Sequence, residues 1–417
     1  MNRTARYSAL CAALIIAACS SEADSPFPDD AYTISATRPI ADQDRVTVSL
    51  EGLGVTVSND FEGGRFSAAA ADGDSVLVLR LEPENAPINN SAWYAFKAWA
   101  PTPDTLTVRL TYVDGDHRYA PKVLAPGSSE WSLMDSSSVS FDEASGDAWF
   151  RVPVGPDTVH VAGQEVLTSG YFDEWTESLA AMDGVSRHTF ATTPRGRPLV
   201  MLQAGNPDAE RHILLISRQH PPEVTGTVAF VSFLEEVLGD SPLARAFRTS
   251  FRIHAVPLMN PDGVDLGHWR HNTGGVDLNR DWVAFHQPET RAVRDEMAQI
   301  LAAPESELWF FADFHSTNRD VFYTLDRSLD TRPNDVLDPW IDHISTSMPD
   351  YELEDAPSTG GFGVVSRDWA WREHQAPGMV YEVGDDTPRP LIRQVARTAA
   401  EGTMEILLER AAQQDGG

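Results

Sequence analysis

The sequence predicts an α/β fold, a mixed sheet flanked by helices, preceded by a smaller β-sandwich domain. Over 166–412, strand-length apolar runs alternate with helical stretches, the grammar of a sheet covered on both faces. Over 31–165, short strands recur between Pro, Gly, Asp and Asn clusters without a strong helical period, which suggests an antiparallel sandwich. In the second part, histidines and acidic residues stand at or just past the ends of the apolar runs, where open α/β sheets collect their ligands.

Residues 1–18 carry Arg3 and Arg6 and then an apolar, small-residue run from Ala9 to Ala18. Such a segment reads as a secretory signal and is too short to span a membrane. Ile16-Ala17-Ala18-Cys19 resembles a bacterial lipobox, which implies that Cys19 becomes the acylated first residue of the mature chain. The alternative is an ordinary signal cut near Ala18. Of the two cysteines, Cys11 falls in the removed segment, so the mature chain is expected to form no disulfide. A lone thiol in an oxidising compartment is best accounted for by the lipid. Ser20 in place of Asp points to the outer membrane of a bacterial cell envelope. Residues 19–30 are polar and acidic and suit a solvated tether. Past residue 30 no run reaches membrane-spanning length, so the expected membrane attachment is through the lipid alone.

In the sandwich the clearest strands are 46–50, 75–81 and 105–112. In the α/β part, strands are expected at 198–203, 212–217, 251–258, 307–314 and 379–383. Helices are expected at 225–238, 289–302, 333–347 and 390–411. No internal repeat or low-complexity tract is apparent, and oligomeric state leaves no mark in the sequence.

The formal charge is −30, and −32 once Arg3 and Arg6 are removed (−30 − 2). Lysine is confined to Lys97 and Lys122. So acidic a chain repels phosphate backbones and anionic lipid surfaces, which argues against nucleic-acid binding. The acidic residues are spread along the chain, as in a solvated shell.

The chemistry concentrates in two half-sites, His220-Pro-Pro-Glu223 and Asp313-Phe-His315-Ser316. Two imidazoles and one carboxylate at strand ends are a ligand set for one catalytic zinc ion per chain, leaving a fourth position open. Histidines bound to a metal usually give their other ring N–H to a carboxylate, and Asp313, two residues before His315, is placed to serve. Glu382, in Met379-Val-Tyr-Glu-Val-Gly, is a lone carboxylate on an apolar strand and a candidate general base.

With Asn260-Pro-Asp-Gly, His268-Trp-Arg270, Gly275-Val-Asp-Leu-Asn279-Arg280 and Tyr381-Glu382-Val, this ordered set resembles the zinc carboxypeptidase family. Ser91-Ala-Trp-Tyr-Ala-Phe-Lys97 and His117-Arg-Tyr-Ala-Pro-Lys122 add a looser likeness to the β-rich region preceding the catalytic domain in cytosolic carboxypeptidases. The resemblance implies a lipid-anchored metallopeptidase acting on peptides with a free C-terminus. It implies Asp277 as carboxylate partner of His220, and Glu382 as the group that takes a proton from the attacking water. Arg270 would stabilise the oxyanion, and Asn279 and Arg280 would grip the substrate's C-terminal carboxylate. Arg367, fifteen residues before Glu382, falls roughly where the family places its side-chain selector and would favour an acidic C-terminal residue.

Two departures are visible. Pro222 stands where some members carry an arginine, and no tyrosine occurs in Ser358–Ser366, where the family's mobile active-site tyrosine is expected. That Gly-rich segment could close as a lid or be a plain loop, and Tyr351 is too distant to assign. Two other readings stay open: a zinc amidase or endopeptidase acting on cell-wall muropeptides, and a non-catalytic envelope lipoprotein.

Overall fold

A computed structural model describes residues 40–358 and 364–416. The expected signal, Cys19 and the tether fall outside the described residues, as does the centre of the Gly-rich segment.

Among the described residues the first part holds eleven strands in chain order: β1 (Thr47–Leu50), β2 (Val55–Ser58), β3 (Ala68–Asp72), β4 (Val76–Leu81), β5 (Ala95–Trp99), β6 (Asp104–Tyr112), β7 (Lys122–Leu124), β8 (Trp131–Leu133), β9 (Val139–Asp142), β10 (Asp147–Val154) and β11 (Val159–Ala162). They form a six-stranded sheet, β1-β2-β5-β11-β7-β8, and a five-stranded sheet, β3-β4-β6-β10-β9. Alternation supplies the core between them: Leu77, Leu79 and Leu81 of β4 and Val108 and Leu110 of β6 are all buried. The expected antiparallel sandwich needs one correction, because β4 and β6 pair in parallel. Parallel neighbours require a crossover, and β5, which lies in the other sheet, provides it.

After helix α1 (Ser169–Ala180) the chain builds the second part. Its strands are β12 (Val185–Thr192), β13 (Pro198–Gly205), β14 (Arg211–Ser217), β15 (Arg252–Val256), β16 (Glu307–Thr317), β17 (Val321–Thr324) and β18 (Gly378–Gly384). Its further helices are α2 (Val224–Leu238), α3 (Pro242–Ser250), α4 (Pro261–Leu266), α5 (Pro288–Ile300), α6 (Leu337–Ser347), α7 (Ser366–His374) and α8 (Arg389–Asp415). The seven-stranded sheet runs β12-β13-β15-β14-β16-β18-β17. Its centre, β15-β14-β16-β18, is parallel, and its flanks are antiparallel. One apolar cluster joins the sheet to α2, α3, α6 and α8, and another joins its opposite face to α5 and α7. Burial on both faces explains why β14 and β16 read as continuous apolar runs. No helix among the described residues is long and apolar enough to cross a membrane.

Sequence reading missed β12, which is rich in polar residues, and β17, which is only four residues long, and also α1, α3, α4 and α7. The expected helix over 333–347 begins four residues later, at Leu337.

Candidate active site

The site lies at the carboxyl ends of β14, β16 and β18, the central strands of the sheet. Three residues past β14, the chain reaches His220. Arg218 makes the bend with φ 61°, a left-handed conformation rare outside glycine, and its Nε donates to Pro221 O (2.7 Å). Glu223 then stands at the N-cap of α2. His315 and Glu382 are direct partners in the parallel ladder between β16 and β18, so both side chains leave the same face of the sheet.

α2 approaches this point closely because Gly226 has no side chain. A Cβ there would lie 2.3 Å from the His315 carbonyl oxygen. The N–H of Gly226 donates instead to Ser316 Oγ (2.9 Å).

His220, Glu223 and His315 offer three ligand atoms within 4.8 Å of one another, all buried. The two Nδ1 atoms are 3.2 Å apart, and each faces a Glu223 oxygen, His220 at 2.8 Å and His315 at 2.7 Å. Four-coordinate zinc with bonds of about 2.0–2.1 Å separates its ligands by roughly 3.3 Å, so the spacing suits that ion. The hydrogen-bond network assigns the outer ring nitrogens as donors. His220 Nε2–H donates to Asp277 Oδ1 (2.7 Å), and His315 Nε2–H to Asp313 Oδ2 (2.8 Å). With those protons committed, two imidazole lone pairs and a carboxylate converge on one point, an arrangement that calls for a cation.

The electrostatics agree. Burial opposes charge on Glu223, yet His220 and His315 outweigh it and hold its pKa well below the usual range. Burial likewise opposes charge on His315, but Asp313 and Glu223 push its pKa well up. The cluster demands positive charge, which a proton or a dication can supply. Asp277 is held ionised against its burial by Arg270 and His220.

Arg270 gives Nε–H to Asp277 Oδ2 (2.8 Å) and brings Nη1 to 3.9 Å from Glu223 Oε1. Burial works against its charge, but Asp277, Glu223 and Glu382 raise its pKa. Among the described residues neither Nη group has a hydrogen-bond acceptor, so these donors remain for an oxygen in the cleft. Burial, with Glu223 close by, pushes Glu382 up to about 7, and one of its carboxylate oxygens, Oε2, is shielded and unpartnered.

The substrate-facing candidates divide. Arg280 is exposed, with Nη1 donating to Asn279 O (2.8 Å). Asn279 commits its amide oxygen, Oδ1 accepting from Ser366 N–H (3.0 Å), while its Nδ2, 3.2 Å from the His315 Nε2–H, faces another donor and makes no hydrogen bond there. For Arg367 the expected role needs correction. Its five N–H groups all have acceptors, in Asp368 Oδ1 twice, the Tyr323 and Thr324 carbonyls, and Ser358 Oγ. It is 3% exposed and has no donor left for a substrate carboxylate. The following residue, Asp368, pairs with the guanidinium. Tyr351, for its part, donates to Asp320 Oδ2 (2.9 Å).

Sequence reasoning missed Gln219 and Ser366, both of which donate to Asp313 Oδ2 and lock it against His315. Gln219 could have been suspected from its place beside His220; Ser366 carries no local signal.

Three buried side chains able to hold a cation, each histidine backed by a carboxylate, with a further carboxylate and an arginine alongside, are the makings of a zinc-hydrolase type of site. Residues 172–360 match the family model described as "Zinc carboxypeptidase", so the chain carries a domain of that family, which uses zinc. Cytosolic carboxypeptidase 2 of Danio rerio is 33% identical over 114 residues, 27% of this chain and 16% of that protein. Cytosolic carboxypeptidase 6 of Homo sapiens is 28% identical over 156 residues, 35% of this chain and 31% of that protein. The similarity thus spans less than a third of the length of either relative. Among solved structures, a metallo-carboxypeptidase from Burkholderia cenocepacia superposes with TM-score 0.70 at 17% identity, covering 86% of this chain and 99% of the other. One from Pseudomonas aeruginosa superposes with TM-score 0.69 at 18% identity, covering 85% and 99%. At such identities the match is one of fold, and its extent takes in the β-rich region as well.

Proposed function

We propose that this protein is a zinc metallopeptidase that hydrolyses a peptide bond near a free C-terminal carboxylate, held at a bacterial cell envelope by a lipid on Cys19. One observation carries the peptidase reading: the Nδ1 atoms of His220 and His315 converge with Glu223 while Glu382 sits beside His315 in register. Zinc held by these three residues supplies Lewis acidity and lowers the pKa of water. Glu382, poised by burial, takes the proton from the attacking water and delivers it to the leaving amine. The free Nη donors of Arg270 receive the charge that develops on the former carbonyl oxygen. Asp277 fixes both Arg270 and His220 and so sets their mutual geometry. Arg280, exposed beside the site, is the guanidinium available for the C-terminal carboxylate, which it suits bidentately.

The test is a peptide-library digest read by mass spectrometry, with and without a chelator. The reading expects single amino acids released from free C-termini, none from amidated ones, and loss of activity with the chelator. Internal cleavage, or cleavage of amidated peptides at equal rate, would favour an endopeptidase or amidase. For the anchor, support comes from the lipobox-like Ile16–Cys19 and the polar stretch that follows. Mass spectrometry of the mature N-terminus should find acylated Cys19, and Cys19→Ala should release the protein from membranes.

A further inference from the structure

We infer that Glu84, in the β-rich region, is a positioning residue for Arg270, so that the sandwich forms part of the active site it precedes. The inference rests on the peptidase reading given above for the role of Arg270.

Arg270 lies on an irregular loop between α4 and Asp277, where successive backbone N–H groups find no partner in a helix or sheet and need acceptors. Glu84 supplies them. Its Oε2 accepts from Trp269 N–H (2.7 Å), and its Oε1 from Arg270 N–H (3.0 Å) and His271 N–H (2.7 Å). Asn85 continues the grip, with Oδ1 2.6 Å from His271 Nδ1 and Nδ2 donating to Gly275 O (3.3 Å).

The packing gives a second, independent observation. The indole of Trp269 is fully buried and belongs to the apolar core of the sandwich rather than to that of the α/β sheet. It sits against Gly115, where a Cβ would lie 2.6 Å from the ring. Trp269 therefore anchors in the β-rich region while its neighbour Arg270 turns to Asp277 and Glu223. Asp277 holds the side chain of Arg270, and Glu84 holds its main chain.

Glu84 is 1% exposed, and an ionised carboxylate is costly to bury unless its oxygens are well hydrogen-bonded, as they are here. Burial raises its pKa, but His268, Arg65, His271 and the Trp269 N–H together keep it below the ordinary value. An oxyanion donor works only when already placed where charge develops, and an error of about 1 Å can cost as much as a hundredfold in rate. Without Glu84 the loop would have three N–H groups to satisfy elsewhere, and Arg270 would move with them.

A double-mutant cycle on the full chain tests this with E84Q, R270A and the double variant. Gln keeps the volume but replaces one acceptor oxygen with a donor, so the three N–H groups cannot all be met. E84Q should lower kcat roughly ten- to a hundredfold with KM and zinc content nearly unchanged. In the R270A background the same change should cost less than about twofold, because residues acting as one unit are non-additive. Hydrogen exchange at Trp269–His271 should quicken in E84Q. An unchanged kcat, or the same loss with and without Arg270, would overturn the inference. If the wild-type chain cleaves no peptide, the peptidase reading fails, and the exchange rates decide the positioning alone: unaltered protection refutes it. If E84Q does not fold, E84D, which withdraws the carboxylate by one methylene, is judged by the same two readouts.

Discussion

On the metal side of the cleft, His220, Glu223 and His315 are each at most 2% exposed, and each imidazole leans on a buried carboxylate. On the substrate side Arg280 is exposed, Asn279 commits only its amide oxygen, to Ser366 N–H, and Arg367 is buried and saturated. A cation site needs fixed, dehydrated ligands with settled protonation, and such residues select one another through short-range chemistry. A substrate site needs donors left unsatisfied by the protein. Whether a given arginine is one of those depends on neighbours far away in sequence.

The sharpest way to break this comparison is Glu382→Gln. Removing the base should reduce kcat by about 10³- to 10⁴-fold while zinc content stays at the wild-type level. The base works only when ionised, so in the wild type kcat/KM should rise with pH along an acid limb. Burial sets Glu382 at about 7, and the charge of bound zinc pulls it lower, so the midpoint belongs below about 7. The limb should vanish in the variant. A variant that keeps wild-type turnover would remove Glu382 from the chemistry.

Asp277→Asn should weaken zinc binding by about 10- to 100-fold, measured by competition with a chromophoric chelator. It should also lower kcat, because Arg270 loses the same partner. Unaltered zinc affinity would mean that His220 needs no carboxylate behind it.

Gly226→Ala forces a methyl group onto the His315 backbone, so α2 and Glu223 must shift away from β16. The expected cost is about 1–3 kcal/mol in unfolding free energy, with a parallel loss of zinc affinity. Full tolerance would contradict the close approach of α2.

The substrate side should respond least. Arg280→Ala should raise KM by about tenfold for peptides with a free C-terminus. Arg367→Gln should lower thermal stability yet leave the preference between acidic and apolar C-terminal residues unchanged. A change in that preference would return Arg367 to the pocket.

Much of the α/β region was legible because its strands are apolar on both faces and its long helices keep a clear period. β14, β16, β18 and α8 were found within a few residues of their ends. His220, Glu223 and His315 were legible for a related reason: their spacing and strand-end context are local facts. What stayed hidden depends on tertiary contact. Glu84 looks like any acidic residue in a Pro-containing loop, and only the folded chain brings it to the Arg270 segment, 186 residues away. Arg367 misled in the opposite direction, since counting back from Glu382 fixes its position but not what its guanidinium touches. The parallel β4–β6 pair was likewise hidden, because strand direction is set by a crossover through the other sheet.

The account turns on one cation held between His220, Glu223 and His315. Zinc stoichiometry by elemental analysis, measured on the wild type and on His315→Ala after dialysis against zinc-free buffer, tests it most directly. The account predicts one zinc per chain in the wild type and close to none in the variant. A wild type without zinc, or a variant that retains it, would contradict it.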